Sequence, residues 1–377
     1  MAFTNTLYTN DNLFILNGLN SKLVNLIYLA PPFNSKRFYS APIDSKAAGT
    51  SFKDMWNWED VNTLAEKFPA LAEYIASIGA IHSDAMKAYL TYMAQRIIEM
   101  HCVLKDTGSL YLHCDPTASH YLKVVLDEIF GKNIFRNEII WHYRRWTGKA
   151  KKFQSLHDVI FFYTKSDEYT FNEQYTPYTN KSLKRKQNYH TRIKGDDVFV
   201  TSIDEKGVRE NDVWVDIQLL NSQSEERTGY PTQKPLSLLH RIIKSSSNEG
   251  DIVLDPFCGC ATTCVAAQQL DRKWIGIDIE RQAVNILIER LSNDAGMFKD
   301  FANTEIVPQR TDIQKIEPTK TVKERLYQQQ SGGDNYENYQ LLCSNCNRMK
   351  SDNPMESLRL KIKIRSHLLN RKIIFGK

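Results

Sequence analysis

Apolar positions along the chain fall into short blocks. Residues 23–29 (LVNLIYL) form one such run, which stops at a pair of prolines. A helix-like stretch from about residue 84 to 104 leads through a Thr-Gly turn into 109–113 (SLYLH). Residues 157–165 (HDVIFFYTK) cluster their apolar side chains as a buried strand does. Residues 252–254 (IVL) run straight into DPFCGCATT; a helix is expected over 262–270, and 274–277 (WIGI) then ends at Asp278. Strands alternating with helices predict a mostly parallel α/β sheet. Such sheets bind ligands beyond the carboxyl ends of their strands. Three of these strands end in unusual polar or Pro/Gly sequences, which marks where a site is expected. From about residue 303 to 334 the pattern decays into a linker with one short helix, and 354–372 (PMESLRLKIKIRSHLLNRK) then shows apolar and basic faces. That helix contacts DNA or caps the domain; the pattern fits both. No internal repeat is found.

The length of 377 residues suggests two or three structural units. With 42% hydrophobic and 25% charged residues, most of the chain should fold around a core. No apolar run approaches the ~20 residues that span a bilayer, which argues against an integral membrane protein. The first residues show no basic-then-apolar secretion signal. The seven cysteines therefore read as reduced cytosolic thiols.

The net charge of +5 is modest, but it is unevenly placed. Residues 142–194 hold twelve Lys/Arg against four Asp/Glu, and 348–377 hold nine against two, so the remainder is acidic on balance. Localised basicity is an electrostatic footprint for phosphates; solvated surface is the plain alternative. The first basic segment interleaves aromatics, among them Tyr143, Trp146, Phe153, Phe171 and Tyr189. Bases stack on such side chains, although those in HDVIFFYTK should be core.

Two strand ends carry candidate chemistry. In 255–263 (DPFCGCATT) small residues let the backbone approach a ligand, and the following helix offers free N–H groups. No lysine follows the glycine, so this is not a phosphate loop. Asp278, at the end of the next strand, can accept two hydrogen bonds from a ribose diol. Together they read as a nucleoside-type cofactor site, with a tight turn and a strand-end aspartate as the structural alternative. At the other strand end, Ala30-Pro31-Pro32-Phe33 fixes the backbone through two prolines and sets an aromatic at the lip of the sheet.

These motifs, in this order, resemble the amino-directed DNA methyltransferases of the circularly permuted β class, which methylate adenine N6 or cytosine N4. The match runs through LAPPFNSKRFY (29–39), TGSLYLHCDPTASHYLK (107–123), DEIFGKNIFRNEIIW (127–141), GYPTQKPLSLL (229–239), LDPFCGCATT and WIGID. It covers roughly residues 5–300. It implies an α/β fold: a Rossmann-like S-adenosylmethionine-dependent methyltransferase sheet with helices on both faces. An inserted target-recognition region and a small helical C-terminal extension complete it. The implied division is a catalytic half over 1–141, a basic, aromatic target-recognition region over 142–228, a cofactor half over 229–302, and a linker with basic extension over 303–377.

The resemblance implies S-adenosylmethionine as cofactor, held by Asp255, Phe257 and Gly259, with Asp278 on the ribose. Thr232 and Lys234 of the TxKP motif lie against the methionine end, and Asp11 lies near the cofactor adenine. Cys260 and Ala261 stand where Ser and Gly are usual. Catalysis is assigned to Ala30, Pro31, Pro32 and Phe33, with Phe33 stacking on a flipped base. Double-stranded DNA is the implied partner, contacted by Arg144, Arg145, Lys184, Arg185 and Lys186. The implied location is the cytoplasm of a prokaryote or phage cell, with no membrane partner; a homodimer is left open.

Ala30 departs from the pattern, which has Asp, Asn or Ser. That side chain and a motif carbonyl accept the two N–H groups of the base amine and aim its lone pair at the methyl group. Losing one oriented partner in a transition state costs ~10²–10³ in rate, so the chain is expected to bind but hardly to methylate. Adenine is preferred over cytosine because this context usually accompanies Asp. An inactive, methyltransferase-like DNA-binding protein is the reading from another class. At the other end of the chain, GGDNYENYQLLCSNCNRMK resembles the end of an HNH-type zinc module. Cys343 and Cys346 alone make half a zinc site, so no metal is expected.

Overall fold

The apolar blocks become strands of one nine-stranded sheet in a computed structural model. It describes residues 5–32, 38–40, 51–53, 62–65, 68–145, 148, 151–187, 191–194, 197–200, 206–221, 223–293 and 301–312. The strands are β1 (Thr6–Thr9), β2 (Val24–Leu29), β3 (Leu104–Cys114), β4 (Phe135–His142), β5 (His157–Thr164), β6 (Val213–Trp214), β7 (Ile252–Asp255), β8 (Lys273–Asp278) and β9 (Ala302–Thr304). They lie in the order β6-β4-β5-β3-β2-β7-β8-β1-β9. All neighbours are parallel except at β5, which runs antiparallel to both β3 and β4. The chain leaves β2 for β3 on one side, while β7 and β8 lie on the other. That reversal of direction opens a crevice at the carboxyl ends of β2 and β7.

Helices cover both faces of the sheet. α1 (Asn12–Gly18), α2 (Pro69–Ile81), α3 (Asp84–Val103) and α4 (Ser119–Phe130) pack into one core with Ile27 and Leu29 of β2. α5 (Leu236–Ser246), α6 (Thr262–Gln269) and α7 (Arg281–Asn293) contribute to a second core with Leu26 and Tyr28. Because β2 is buried on both faces, its sequence reads as a continuous apolar run and not as an alternation. The expected mostly parallel α/β sheet with helices on both faces is therefore present. α3 begins at Ser83, whose hydroxyl accepts from the Met86 N–H as an N-cap.

Several boundaries differ from the sequence reading. β3 starts at Leu104 and not at residue 109, because Val24 pairs with Leu104 while Leu26 pairs with Ser109 across a register shift. Asn303, expected to open a linker, instead pairs with Leu7 at the sheet edge. β9 is only three polar and small residues, held by a partner strand and not by its own pattern. β1 and β4 were not legible either, since β4 (FRNEIIWH) mixes polar and apolar residues without a clean period.

The chain divides into two compact units, Met1–Gln309 and Arg310–Lys377, and the described residues lie almost wholly in the first. Within the expected target-recognition region, the described residues between 165 and 212 lie outside the sheet. They form two short antiparallel pairs, Tyr175–Thr176 with Val208–Arg209 and Thr191–Lys194 with Asp197–Val200, and a helix over Asn180–Gln187. Among the described residues no helix is long and apolar enough to cross a membrane. The five described cysteines are free thiols.

Candidate active site

Four strand ends meet at the crevice. Asn10–Asn12 follow β1, Ala30–Pro32 follow β2, Asp255–Cys260 start at the last residue of β7 and Asp278–Glu280 at the last residue of β8; all line one cavity of about 260 Å³. Tyr230 and Thr232–Lys234 close it from the loop ahead of α5. Ten residues singled out in the sequence are thus brought together: Asp11, Ala30, Pro31, Pro32, Thr232, Lys234, Asp255, Phe257, Gly259 and Asp278. Arg144 and Arg145 are exposed and stand apart from this lining, in the loop between β4 and β5. The side chains of Lys184, Arg185 and Lys186, and Phe33, Cys343 and Cys346 entirely, lie outside the described residues.

On the β7–β8 side the polar groups are two buried carboxyls. Asp255 accepts from the Phe257 N–H at 3.0 Å and from the Thr263 hydroxyl. Asp278 accepts from the Gly259 N–H at 2.7 Å and the Glu280 N–H at 2.8 Å. Burial pushes Asp255 up to about 7, against the pull of these hydrogen bonds, and Asp278 up to about 6. Among the described residues neither has a cationic partner. Gly259 sits at φ 50°, and a Cβ there would stand 3.0 Å from the Tyr230 ring, so the turn needs glycine on two counts. Ala261 also adopts a left-handed conformation, at φ 57°, as the residue preceding α6.

Asp11 lines the cavity with its carboxylate already engaged. It caps α1 by accepting from the Leu13 N–H at 2.7 Å, and both its oxygens accept from Arg96 at 3.0–3.1 Å. The Arg96 guanidinium lies 3.3 Å over the Tyr92 ring and also donates to Asn12, whose amide reaches the Pro256 carbonyl at 2.8 Å. Asn12 therefore ties the β1 loop to the β7 loop, and Asp11 and Arg96 brace it. Sequence reading missed Arg96 because α3 places it from 85 residues away.

The β2–β3–β5 side holds a polar chain that the sequence did not reveal. The Tyr28 hydroxyl is 2.8 Å from His113 Nδ1, and His113 Nε2 is 3.0 Å from Asp158 Oδ2. Tyr143 donates to Asp158 Oδ1 at 2.9 Å, and Lys234 Nζ lies 3.7 Å from Asp158 Oδ2. Burial works to raise Asp158, but His113, Lys234 and Tyr143 together hold it well below the usual carboxylate range. Burial, with the Lys234 charge, brings His113 down to about 4. Burial also lowers the Lys234 ammonium, against the attraction of Asp158. Lys234 is thus tied to the β5 side of the crevice through this ion pair. Ala30 offers only a methyl group beside Pro31 and Pro32. The available signals for the polar chain were the His in SLYLH and the Asp opening HDVIFFY; neither has a spacing that pairs them.

Of the aromatics in the basic segment, Phe161, Phe162, Tyr163 and Tyr143 are core. Phe153 is fully exposed, and Phe171, half exposed, stacks at 6.0 Å on Phe162.

A crevice that joins paired prolines at one strand end to two buried carboxyls at the next two defines a nucleoside-cofactor enzyme of the α/β class. Residues 24–289 match the family described as DNA methylase, and the chain belongs to that family. Residues 324–353 match the HNH endonuclease family. The type II methyltransferase M.EcaI of Enterobacter cloacae is 28% identical over 367 residues, covering 81% of this chain and 73% of its own. The DNA adenine methyltransferase YhdJ of Escherichia coli (strain K12) is 31% identical over 226 residues, 56% of this chain and 70% of its own. Among solved structures, the DNA modification methylase TTHA0409 of Thermus thermophilus, in complex with S-adenosyl-L-methionine, aligns with a TM-score of 0.47 at 17% identity. That alignment covers 80% of this chain and 98% of the other.

Proposed function

We propose that this DNA methyltransferase transfers a methyl group from S-adenosylmethionine to adenine N6 of a base flipped out of duplex DNA, and that Ala30 slows it severely. The observation that carries the reading is the single cavity shared by Ala30-Pro31-Pro32 and the carboxyls of Asp255 and Asp278. S-adenosylmethionine supplies an electrophilic methyl on a cationic sulfur and carries a second positive charge on its amino group. Two buried carboxyls without a cationic partner among the described residues fit such a ligand, because a cation returns each to its ionised form. Asp278, at the end of β8, is the acceptor for the ribose diol. Gly259 lets the β7 turn come close to the bound nucleoside, and Thr232 and Lys234 bound the methionine end.

The name of the relative YhdJ supports adenine over cytosine as target, as does the LIYLxPPFNS context around Ala30. Residues 142–228 form the target-recognition region, with exposed Arg144 and Arg145 on phosphates. Flipping the target costs a few kcal/mol, offset by phosphate contacts. A DNA-binding protein that retains the cofactor cavity without turnover is the second reading, favoured by Ala30 itself.

The deciding experiment is single-turnover transfer of labelled methyl to duplex DNA, followed by mass spectrometry of the nucleosides. Ala30→Asp should raise the rate by ~10²–10³ with little change in cofactor affinity, because the acceptor acts on the transition state. Ala30→Leu, without an acceptor, should stay inert. N6-methyladenine is the expected product; N4-methylcytosine would reassign the base. An inert Ala30→Asp protein that still binds DNA and cofactor would leave the binding reading in its place.

A further inference from the structure

The buried chain from Asp158 through His113 to Tyr28 fixes where its protons lie. An ionised carboxylate only accepts hydrogen bonds. Asp158 receives Tyr143 on one oxygen and His113 and Lys234 on the other, an inventory made of donors alone. His113 Nε2 must then carry the ring proton, which leaves Nδ1 as an acceptor. Tyr28 has one proton, and it is committed to that Nδ1 at 2.8 Å. Among the described residues this is the only hydrogen bond of the Tyr28 hydroxyl, so its oxygen keeps lone pairs and no donor. Burial and the Asp255 and Asp158 charges keep the phenol protonated, so the arrangement holds across neutral pH.

Side chains two apart on a strand share a face, and Tyr28 precedes Ala30 by two on the β2 line. Both line the cavity. Tyr28 pairs in register with Tyr111, and its hydroxyl reaches His113 two residues further along β3, near the carboxyl end of that strand. The side of the cavity that lost its acceptor at Ala30 therefore has another, built into the same strand.

We propose that Tyr28 is a further substrate-contacting residue, its hydroxyl held by the positioning pair His113 and Asp158 as an acceptor for an N–H of the incoming base amine. This rests on the methyl-transfer reading above and names a residue of that same site. It gives the base amine an acceptor on the side of the cavity where alanine stands at position 30, and it gives the His113–Asp158 contact a role beyond the ion pair with Lys234.

Two measurements test it. Tyr28→Phe keeps the ring and removes the oxygen. In the unaltered chain, where alanine at position 30 leaves one N–H of the base amine without its acceptor, it should lower the slow single-turnover methyl transfer by about 10²-fold, with DNA and cofactor affinities held within about twofold. In the Ala30→Asp background, where the carboxylate and the motif carbonyl take both N–H groups, it should change the rate little. An unchanged rate for Tyr28→Phe in the unaltered chain, beside an active Ala30→Asp parent, would overturn the proposal and leave the methyltransferase reading standing. An inert Ala30→Asp parent would remove that reading and this one with it. The second readout needs no activity: nitrogen-15 spectra of the histidine imidazoles in the unaltered chain. His113 should be protonated at Nε2 and not at Nδ1 through neutral pH, with its Nδ1 signal identified by its shift in Tyr28→Phe. A proton on Nδ1 would make Tyr28 a donor to the cavity and would sink the idea.

Discussion

The two walls of the crevice bury carboxyl groups to a similar degree and drive them in opposite directions. On the β7–β8 wall Asp255 and Asp278 meet backbone N–H groups and one hydroxyl, and burial raises them to about 7 and about 6. On the β2–β5 wall Asp158 meets a histidine, a tyrosine and a lysine, and is held down. Burial by itself does not set the charge of a site; the inventory of donors around the carboxyl does. One wall is ready to take a cation, and the other already has one. Under the proposed function, the difference suits a crevice that admits a positively charged cofactor on one side and a neutral base on the other.

The largest break in this comparison comes from removing the charge that is already paired. Asp158→Asn leaves Lys234 buried with a neutral neighbour and should destabilise the protein by about 3 kcal/mol at pH 7. The folded-state carboxyl lies below its ordinary 3.8, so its contribution is present above that value and is lost as pH falls through the folded one. Urea unfolding should therefore show a constant gap between parent and variant from pH 8 to 5, narrowing only below about pH 4. A gap that closes between pH 8 and 5 would contradict the assignment.

The opposite wall should answer with the opposite sign. Asp255 is raised, so its stabilising contribution is present below 3.8 and is lost as pH rises through about 7. Relative to Asp255→Asn, the parent should lose about 2–3 kcal/mol between pH 5 and 8. Parallel stability curves for the two proteins would show that Asp255 is ionised throughout and that the walls do not differ. The smallest effect tests the turn that carries this wall. Ala261→Gly relieves a left-handed conformation worth about 1 kcal/mol and removes a buried methyl worth about 0.8 kcal/mol. The two nearly cancel, so chemical denaturation should find the variant within about 0.5 kcal/mol of the parent. This near-balance is how alanine is tolerated at a glycine-like position.

The β7–β8 wall was largely legible in the sequence because it is local. Asp255, Phe257, Gly259 and Asp278 lie within one strand–helix–strand unit, where turn geometry and hydrophobic period fix every position relative to its neighbours. LVNLIYL and its two prolines were legible for the same reason, as was the absent acceptor at Ala30. The Asp11 carboxylate was placed at the site but not its engagement with Arg96, which sits on a helix 85 residues further along.

The other wall was decided by tertiary structure. Asp158 is the second residue of β5, and only because β5 runs against its neighbours does the start of that strand lie beside the carboxyl end of β3, with Ile160 opposite His113. Strand direction has no local signature, since an apolar run reads alike whichever way it is laid into a sheet. Local pattern is therefore enough to read the family, the alternation of elements and the chemistry at each parallel strand end. The pairing of Tyr28, His113, Asp158 and Lys234, drawn from four distant segments, and the charge that each carries exist only once the reversed strand is in place.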